Sequence, residues 1–273
     1  MDKLKGKNEI GRFKQIAEKL CSQLSSIEGV VGIVFVGGLA RGFADRFSDV
    51  DIDVYLRKKD RKLRETIRKM GADEQKRSGI DVDLSTYFVD EFGKRRWTEI
   101  DRWDYSHALI VYDLKGEVRR IFDWKLAVSR DFWVKRIATC AEYLKWYCCP
   151  PAENVGTMTE AWVERGDLAS AHYCLTYAVD VLLRVIFALN REFVPPQKWR
   201  IIYSYTLKWL PSNHEELLRE AMIIKELSTS DLERRLKAIR KIWRGTVPEI
   251  EKETGLNLEE LSKYYVENVL QQG

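Results

Sequence analysis

Apolar and polar positions follow two different periods along this chain, and the change from one to the other divides it. Residues 9–28 place Ile10, Phe13, Ile16, Ala17, Leu20 and Leu24 at helical spacing, and Gly29 ends that helix. The β-branched run Val30 to Val36 follows and reads as a buried strand stopped by Gly37-Gly38. Asp49-Val-Asp-Ile-Asp-Val-Tyr-Leu56 then alternates with period two, the clearest strand in the sequence. A charged helix is predicted over 58–71, ending at Gly71, followed by strands over Ile80 to Leu84 and Ala108 to Tyr112. From about Asp131 onward the spacing is three and four, as in Val134, Ile137, Ala141, Leu144 and again in Leu168, Ala171, Leu175, Ala178, Leu182. The expectation is an α+β protein. A small mixed sheet with flanking helices occupies residues 1–128, and an all-helical bundle occupies 129–273. No flexible linker separates the two, so they are expected to enclose one cleft.

Composition narrows the picture. The formal charge is +4, which suits a polyanionic ligand such as a nucleotide but falls far short of the basic stripe of a nucleic-acid binder. Five cysteines with no CxxC spacing read as reduced thiols, with Cys21, Cys140 and Cys174 as small core residues. Only three histidines occur, none at ligand spacing from a cysteine, which argues against zinc. The basic N-terminus leads into no apolar signal core. The most apolar stretch, Ala178 to Leu189, is interrupted by Asp180 and Arg184 and is too short to span a bilayer. A soluble, cytoplasmic protein without membrane partners is expected.

The chemistry concentrates in the acidic strands. Side chains two apart on a strand share a face, so Asp49 and Asp51 project together, as do Asp81 and Asp83. Such clusters must protonate or take up cations. Oxygen ligands without His or Cys suit a hard ion, in the cytosol Mg²⁺. Gly37-Gly38 after a buried strand lets the backbone approach a phosphate closely. Magnesium beside a phosphate cradle implies phosphoryl or nucleotidyl transfer. Gly37-Gly38-x-x-x-Gly42 is not G-x-G-x-x-G, and no G-x-x-x-x-G-K-[ST] occurs.

The segment Gly37-Gly-Leu-Ala-Arg-Gly-Phe-Ala-Asp-Arg-Phe-Ser-Asp-Val-Asp51 resembles the signature of the polymerase-beta-like nucleotidyltransferases: an apolar strand, Gly-Gly or Gly-Ser, about ten residues, then Asp-x-Asp. It is most similar to the antibiotic-type members acting on kanamycin, streptomycin and lincosamides. Ile80-Asp81-Val82-Asp83-Leu84 matches their third acidic strand at Asp81. The resemblance implies that Asp49 and Asp51 bind two Mg²⁺ ions, that Asp81 completes one site, and that a helical C-terminal domain holds the acceptor. Choosing Asp81 over Asp83 rests on this resemblance alone. Many members have Ser where Gly38 stands, which leaves only a backbone N–H here. Looser landmarks follow at Arg165-Gly-Asp167, Ala188-Leu-Asn190 and Pro196-Gln-Lys198-Trp199.

Other residues carry two readings each. Arg41 either reaches a triphosphate or is a surface arginine, and Ser48 either touches the nucleotide or fixes the turn before Asp49. Asp53 and Asp83 fit solvated or structural roles. His172, Thr176, Asp180 and Arg184 form a polar stripe, read as an acceptor face or as a helix side closed by an Asp180–Arg184 pair. On similarity alone Glu160, Lys198 and Trp199 become acceptor or nucleotide contacts. Trp97, Trp103 and Tyr105 either stack on a base or cover the sheet. The expected activity is transfer of AMP from ATP to a hydroxyl of a small molecule, by a monomer or homodimer. An antitoxin-like regulatory protein acting through a protein partner, or an enzyme of RNA ends, are the alternatives.

Overall fold

A computed structural model describes residues 4, 6–152 and 155–272, the side chain of Gln272 excepted; residues 1–3 and 5, part of the basic N-terminal run, lie outside it. The chain forms two compact units, Met1–Ala127 and Val128–Gly273.

The first unit is built on four strands, β1 (Val30–Phe35), β2 (Val50–Leu56), β3 (Val82–Phe88) and β4 (Leu109–Asp113), in the order β3-β2-β1-β4. β1 is antiparallel to both β2 and β4, and β2 is parallel to β3, so the sheet is mixed. Helices α1 (Ile10–Ser25), α2 (Gly37–Arg41), α3 (Arg61–Ser78), α4 (Val89–Lys94), α5 (Glu99–Ser106) and α6 (Glu117–Leu126) surround it. The period-two pattern of β2 divides its side chains cleanly. Val50, Ile52, Val54 and Leu56 enter one core with Phe13, Leu20 and Leu24 of α1 and Ile67 of α3. Tyr55 enters a second, aromatic core with Phe92, Trp97, Tyr105 and Phe122. Trp97 and Tyr105 therefore cover the sheet, while Trp103 is also buried.

Two boundaries differ from the sequence pattern. α3 runs on through Gly71 to Ser78, because Gly71 is the point of closest approach to β3: a Cβ there would lie 3.1 Å from Leu84 Cγ. Gly79, at φ +69°, ends the helix instead. β3 starts at Val82 and extends to Phe88 through Ser85-Thr86, whose hydroxyls mask the period-two signal.

The second unit contains α7 (Arg130–Tyr147), α8 (Met158–Glu164), α9 (Leu168–Leu189), α10 (Gln197–Ser204), α11 (His214–Met222), α12 (Thr229–Thr254) and α13 (Leu258–Asn268), with no strand among the described residues. α9 packs against α7, α8, α10, α11 and α12. At 22 residues it is longer than the apolar run suggests, and by length and composition alone it could cross a membrane; most of it is buried inside this unit. All five cysteines are free; Cys140 and Cys174 are buried, and Cys21 is half-buried.

The polar stripe of α9 closes on itself. The fully buried Arg235 of α12 donates to the Ala221 carbonyl at 2.7 Å, to His172 Nδ1 at 2.9 Å and to Thr176 Oγ1 at 3.0 Å. Accepting that bond leaves His172 to carry its proton on Nε2, which faces the Ser228 carbonyl at 3.3 Å. Asp180 accepts from Arg184 and from Arg200. Arg235 thus ties α9, α11 and α12 through neutral acceptors. We predict that Arg235→Ala destabilises the second unit by about 3 kcal/mol, since it opens a cavity and strips two buried acceptors, the Ala221 carbonyl and His172 Nδ1, of their donor. Hydrogen exchange with calorimetry should show lost protection confined to residues 128–273; unchanged stability would contradict it.

Candidate active site

The glycine pair and the acidic strand meet at one end of the sheet. The backbone N–H of Val36 donates to the Asp51 carbonyl at 3.2 Å, tying the end of β1 to the start of β2. Gly37 then takes φ +57°, and a Cβ there would lie 2.0 Å from an Asp51 carboxylate oxygen. Glycine is required twice over, by the backbone and by the carboxylate that occupies the side-chain position. Gly38 has an equally definite reason. Its carbonyl accepts from the N–H groups of Gly42 and Phe43, and a Cβ would meet the Phe43 carbonyl oxygen at 2.7 Å. A serine would not fit without displacing that backbone.

Asp49 is exposed just before β2, and its carboxylate accepts from the half-buried Asp51 when that carboxyl is protonated. Across the parallel pair, Asp51 lies directly opposite Asp83, so the two share a face. Burial, then the charge and hydrogen bond of Asp49, then the charge of Asp83 push Asp51 up to about 7; Arg41 opposes them. Asp53 is buried, and burial is also the main reason it is pushed up to about 7; Tyr105 donates to it at 2.9 Å and opposes the shift. It is therefore neither solvated nor part of the exposed pair.

Asp81 sits apart from this arrangement. It is exposed, one residue before β3, and accepts from Gln75 Nε2 of α3 at 2.8 Å, while its carbonyl pairs with the Val50 N–H. α3 packs on the face opposite Asp51, alongside Val50 and Ile52. Asp83, rather than Asp81, thus faces Asp51. Alternation alone places both acids on the strand; only the register of β3 against β2 separates them.

The remaining candidates fall in two groups. Arg41, its side chain buried, lies 3.4 Å from Asp104 and over the Trp103 ring at 5.0 Å, close enough to Asp51 to act on its charge. Ser48 Oγ accepts from the Asp45 N–H at 3.0 Å and donates to the Asp45 carboxylate at 3.1 Å, which fixes the turn before Asp49. In the second unit, Lys198 is exposed and Trp199 half-buried on α10, the latter edge-on to Tyr203. Glu160 closes a capping box with Thr157 and pairs with Arg240 at 2.9 Å, which accounts for it structurally.

The donor set fits a hard divalent ion in a particular way. Asp49 and Asp51 supply adjacent oxygens in a cluster that resists full ionisation, yet no group of three or more His, Cys, Asp or Glu forms a ready-made metal cage among the described residues. Mg²⁺ commonly takes one or two carboxylates and completes its shell with water and substrate phosphates.

Residues 13–107 match the family described as nucleotidyltransferase domain, a span that contains the glycine pair and all of the acids discussed above. The chain is also similar to a solved nucleotidyltransferase-like protein from Exiguobacterium sibiricum 255-15, at 12% identity and a TM-score of 0.44, over 88% of this chain and 78% of that one. No curated protein matches it in sequence. The family match thus lies within the first unit. The subgroup acting on antibiotics is not distinguished by these matches.

The two raised carboxyls set a pH dependence. Between about pH 4 and pH 7 the folded protein holds protons on Asp51 and Asp53 that the unfolded chain has released. Raising the pH through that window should lower the stability of the metal-free protein, on the order of a few kcal/mol for the two together. Urea unfolding at several pH values in EDTA measures this. Stability that instead rises steadily from pH 4 to 7 would show that neither carboxyl is raised.

Proposed function

We propose that this protein transfers a nucleoside monophosphate, AMP from ATP, to a hydroxyl of a small acceptor and releases pyrophosphate. The observation that carries this reading is the Asp49–Asp51 pair packed against Gly37, with Asp83 opposite Asp51. It lies within the span that matches the nucleotidyltransferase family.

Asp49 and Asp51 would hold two Mg²⁺ ions together with the triphosphate, and Asp83 would take the third position that the family pattern suggested for Asp81. The ions supply charge neutralisation at the phosphates and lower the pKa of a coordinated hydroxyl. The chain's own groups do the rest. The Gly37-Gly38 turn leaves the room that the Asp51 carboxylate and the Phe43 carbonyl take up, and so holds Asp51 beside Asp49. Arg41 is positioned by Asp104 and Trp103 beside the carboxylates, where its charge would neutralise a bound triphosphate. Lys198 and Trp199 of the helical unit are assigned to nucleotide contacts, and that unit to the acceptor, on family resemblance. Ser48 acts through the turn that presents Asp49. A purely regulatory role for the site is disfavoured, because keeping Asp51 ionised against two like charges costs stability that a bound cation recovers.

The test is incubation with labelled nucleoside triphosphates, Mg²⁺ and a panel of hydroxylated small molecules, read by mass spectrometry for a nucleotidylated product. Asp51→Asn should lower turnover by at least about a thousandfold, roughly 4 kcal/mol, without lowering the metal-free melting temperature. Asp53→Asn should be far milder, since an amide oxygen still accepts from Tyr105. Asp83→Asn should cost much more than Asp81→Asn. Unchanged turnover in Asp51→Asn would overturn the site assignment, and a dominant effect at Asp81 would return the third position to it.

A further inference from the structure

A cleft of about 630 Å³ opens within the second unit, between one face of α12 and residues 149–152, which follow α7. Leu236 and Trp243, both buried, and the half-buried Pro150 form its apolar floor. Lys237, Arg240 and Arg244 line the same cleft. Their spacings of three and four put them on one side of α12, about 4.5 and 6 Å apart along its axis at about 1.5 Å per residue. Leu236 and Trp243 fall among them at the same period, so this side of the helix is apolar at its base and basic at its rim.

Acids do not match these cations. Arg244 has Arg240 and Lys241 one turn before it and Val247 and Pro248 one turn after, so its own helix offers it no carboxylate. Lys237 has only Glu233 at that spacing. Neither Lys237 nor Arg244 has a hydrogen-bond or ion-pair partner among the described residues. Glu233 is the single acid among the described lining residues, against three bases, and it stands about 16 Å from Arg244 along the helix. Arg240 is held in place between them. Its Nε donates to the Cys148 carbonyl at 2.7 Å and its Nη2 to Glu160 at 2.9 Å, which leaves Nη1 without a partner among the described residues. Arg240 and Arg244 repel one another at i, i+4, and an anion between them relieves that repulsion.

We propose that this cleft binds a small organic anion, its phosphate or carboxylate held by Arg240, Arg244 and Lys237 and its apolar body lying over Leu236, Trp243 and Pro150. The volume falls in the range of small-molecule sites, about 300–1,000 Å³. Arg240 is already immobilised and orients the anion at little entropic cost, while the exposed Lys237 and Arg244 add charge from either side. The two halves of the cleft select together. Inorganic phosphate leaves the apolar floor wet, and a neutral ring leaves the guanidinium groups unmatched. The site belongs to the second unit alone and stands whether or not the first unit transfers a nucleotide.

The test titrates the full chain with 1-naphthyl phosphate, 1-naphthoate, 1-naphthol and inorganic phosphate, followed by amide NMR and calorimetry. The two naphthyl anions should bind with shifts centred on residues 149–152 and 233–244, and the other two probes about tenfold or more weakly. Lys237→Gln/Arg244→Gln should weaken both anions about tenfold or more, yet melt with the wild type, since both side chains are exposed. Lys208→Gln/Lys241→Gln removes the same charge from exposed positions outside the cleft and should bind as the wild type does. Equal losses in the two double variants would overturn the proposal, leaving only diffuse attraction to a basic surface. So would 1-naphthol or inorganic phosphate binding as tightly as the naphthyl anions, or shifts centred elsewhere. A short oligoribonucleotide that binds the cleft more tightly than either anion would overturn the small-molecule class and make this face a nucleic-acid contact.

Discussion

The crowding of the Asp51 carboxylate governs the first unit. It lies where the side chain of residue 37 would be, beside Asp49 and opposite Asp83, at the partly buried start of β2. Three like charges cannot all ionise there at low cost, so the site holds protons at mild pH or exchanges them for a cation. The surrounding architecture keeps the acids together. Hydrogen bonding of Val36 to the Asp51 carbonyl fixes the glycine turn, the α3 crossover sets β3 in register, and the buried Tyr105 holds Asp53 beneath. Electrostatic crowding thus falls inside the span that matches the nucleotidyltransferase family.

Much of this was legible in the sequence because the signals were local. Period-two alternation located β2, and the change to spacings of three and four marked the helical half. The ten residues between Gly38 and Asp49 and the Asp-x-Asp that follows led to the nucleotidyltransferase domain that residues 13–107 match. What remained hidden depends on contacts between segments distant in sequence. Asp81 and Asp83 look equivalent until the parallel register sets Asp83 against Asp51 and Gln75 draws Asp81 away. Gly71 reads as a helix stop, yet it marks the close approach of α3 to β3. The polar stripe of α9 could not reveal its partner Arg235, which lies 63 residues from His172.

The departure at Gly38 illustrates the value of geometry over motif. A serine there would offer a hydroxyl to phosphate, and its absence reads as a weakness in the pattern. The tight turn to the Phe43 carbonyl shows that this chain has no room for one.

The state of Asp51 itself tests the central claim most directly. Its side-chain carboxyl carbon can be followed by NMR across a pH titration of the metal-free protein, assigned by comparison with Asp51→Asn. The account predicts a midpoint near 7, moving toward the ordinary carboxylate range when Mg²⁺ and a non-hydrolysable nucleoside triphosphate are added together. A midpoint near the usual 3.8 in the absence of metal would contradict it, because Asp51 would then be neither crowded nor in need of a cation.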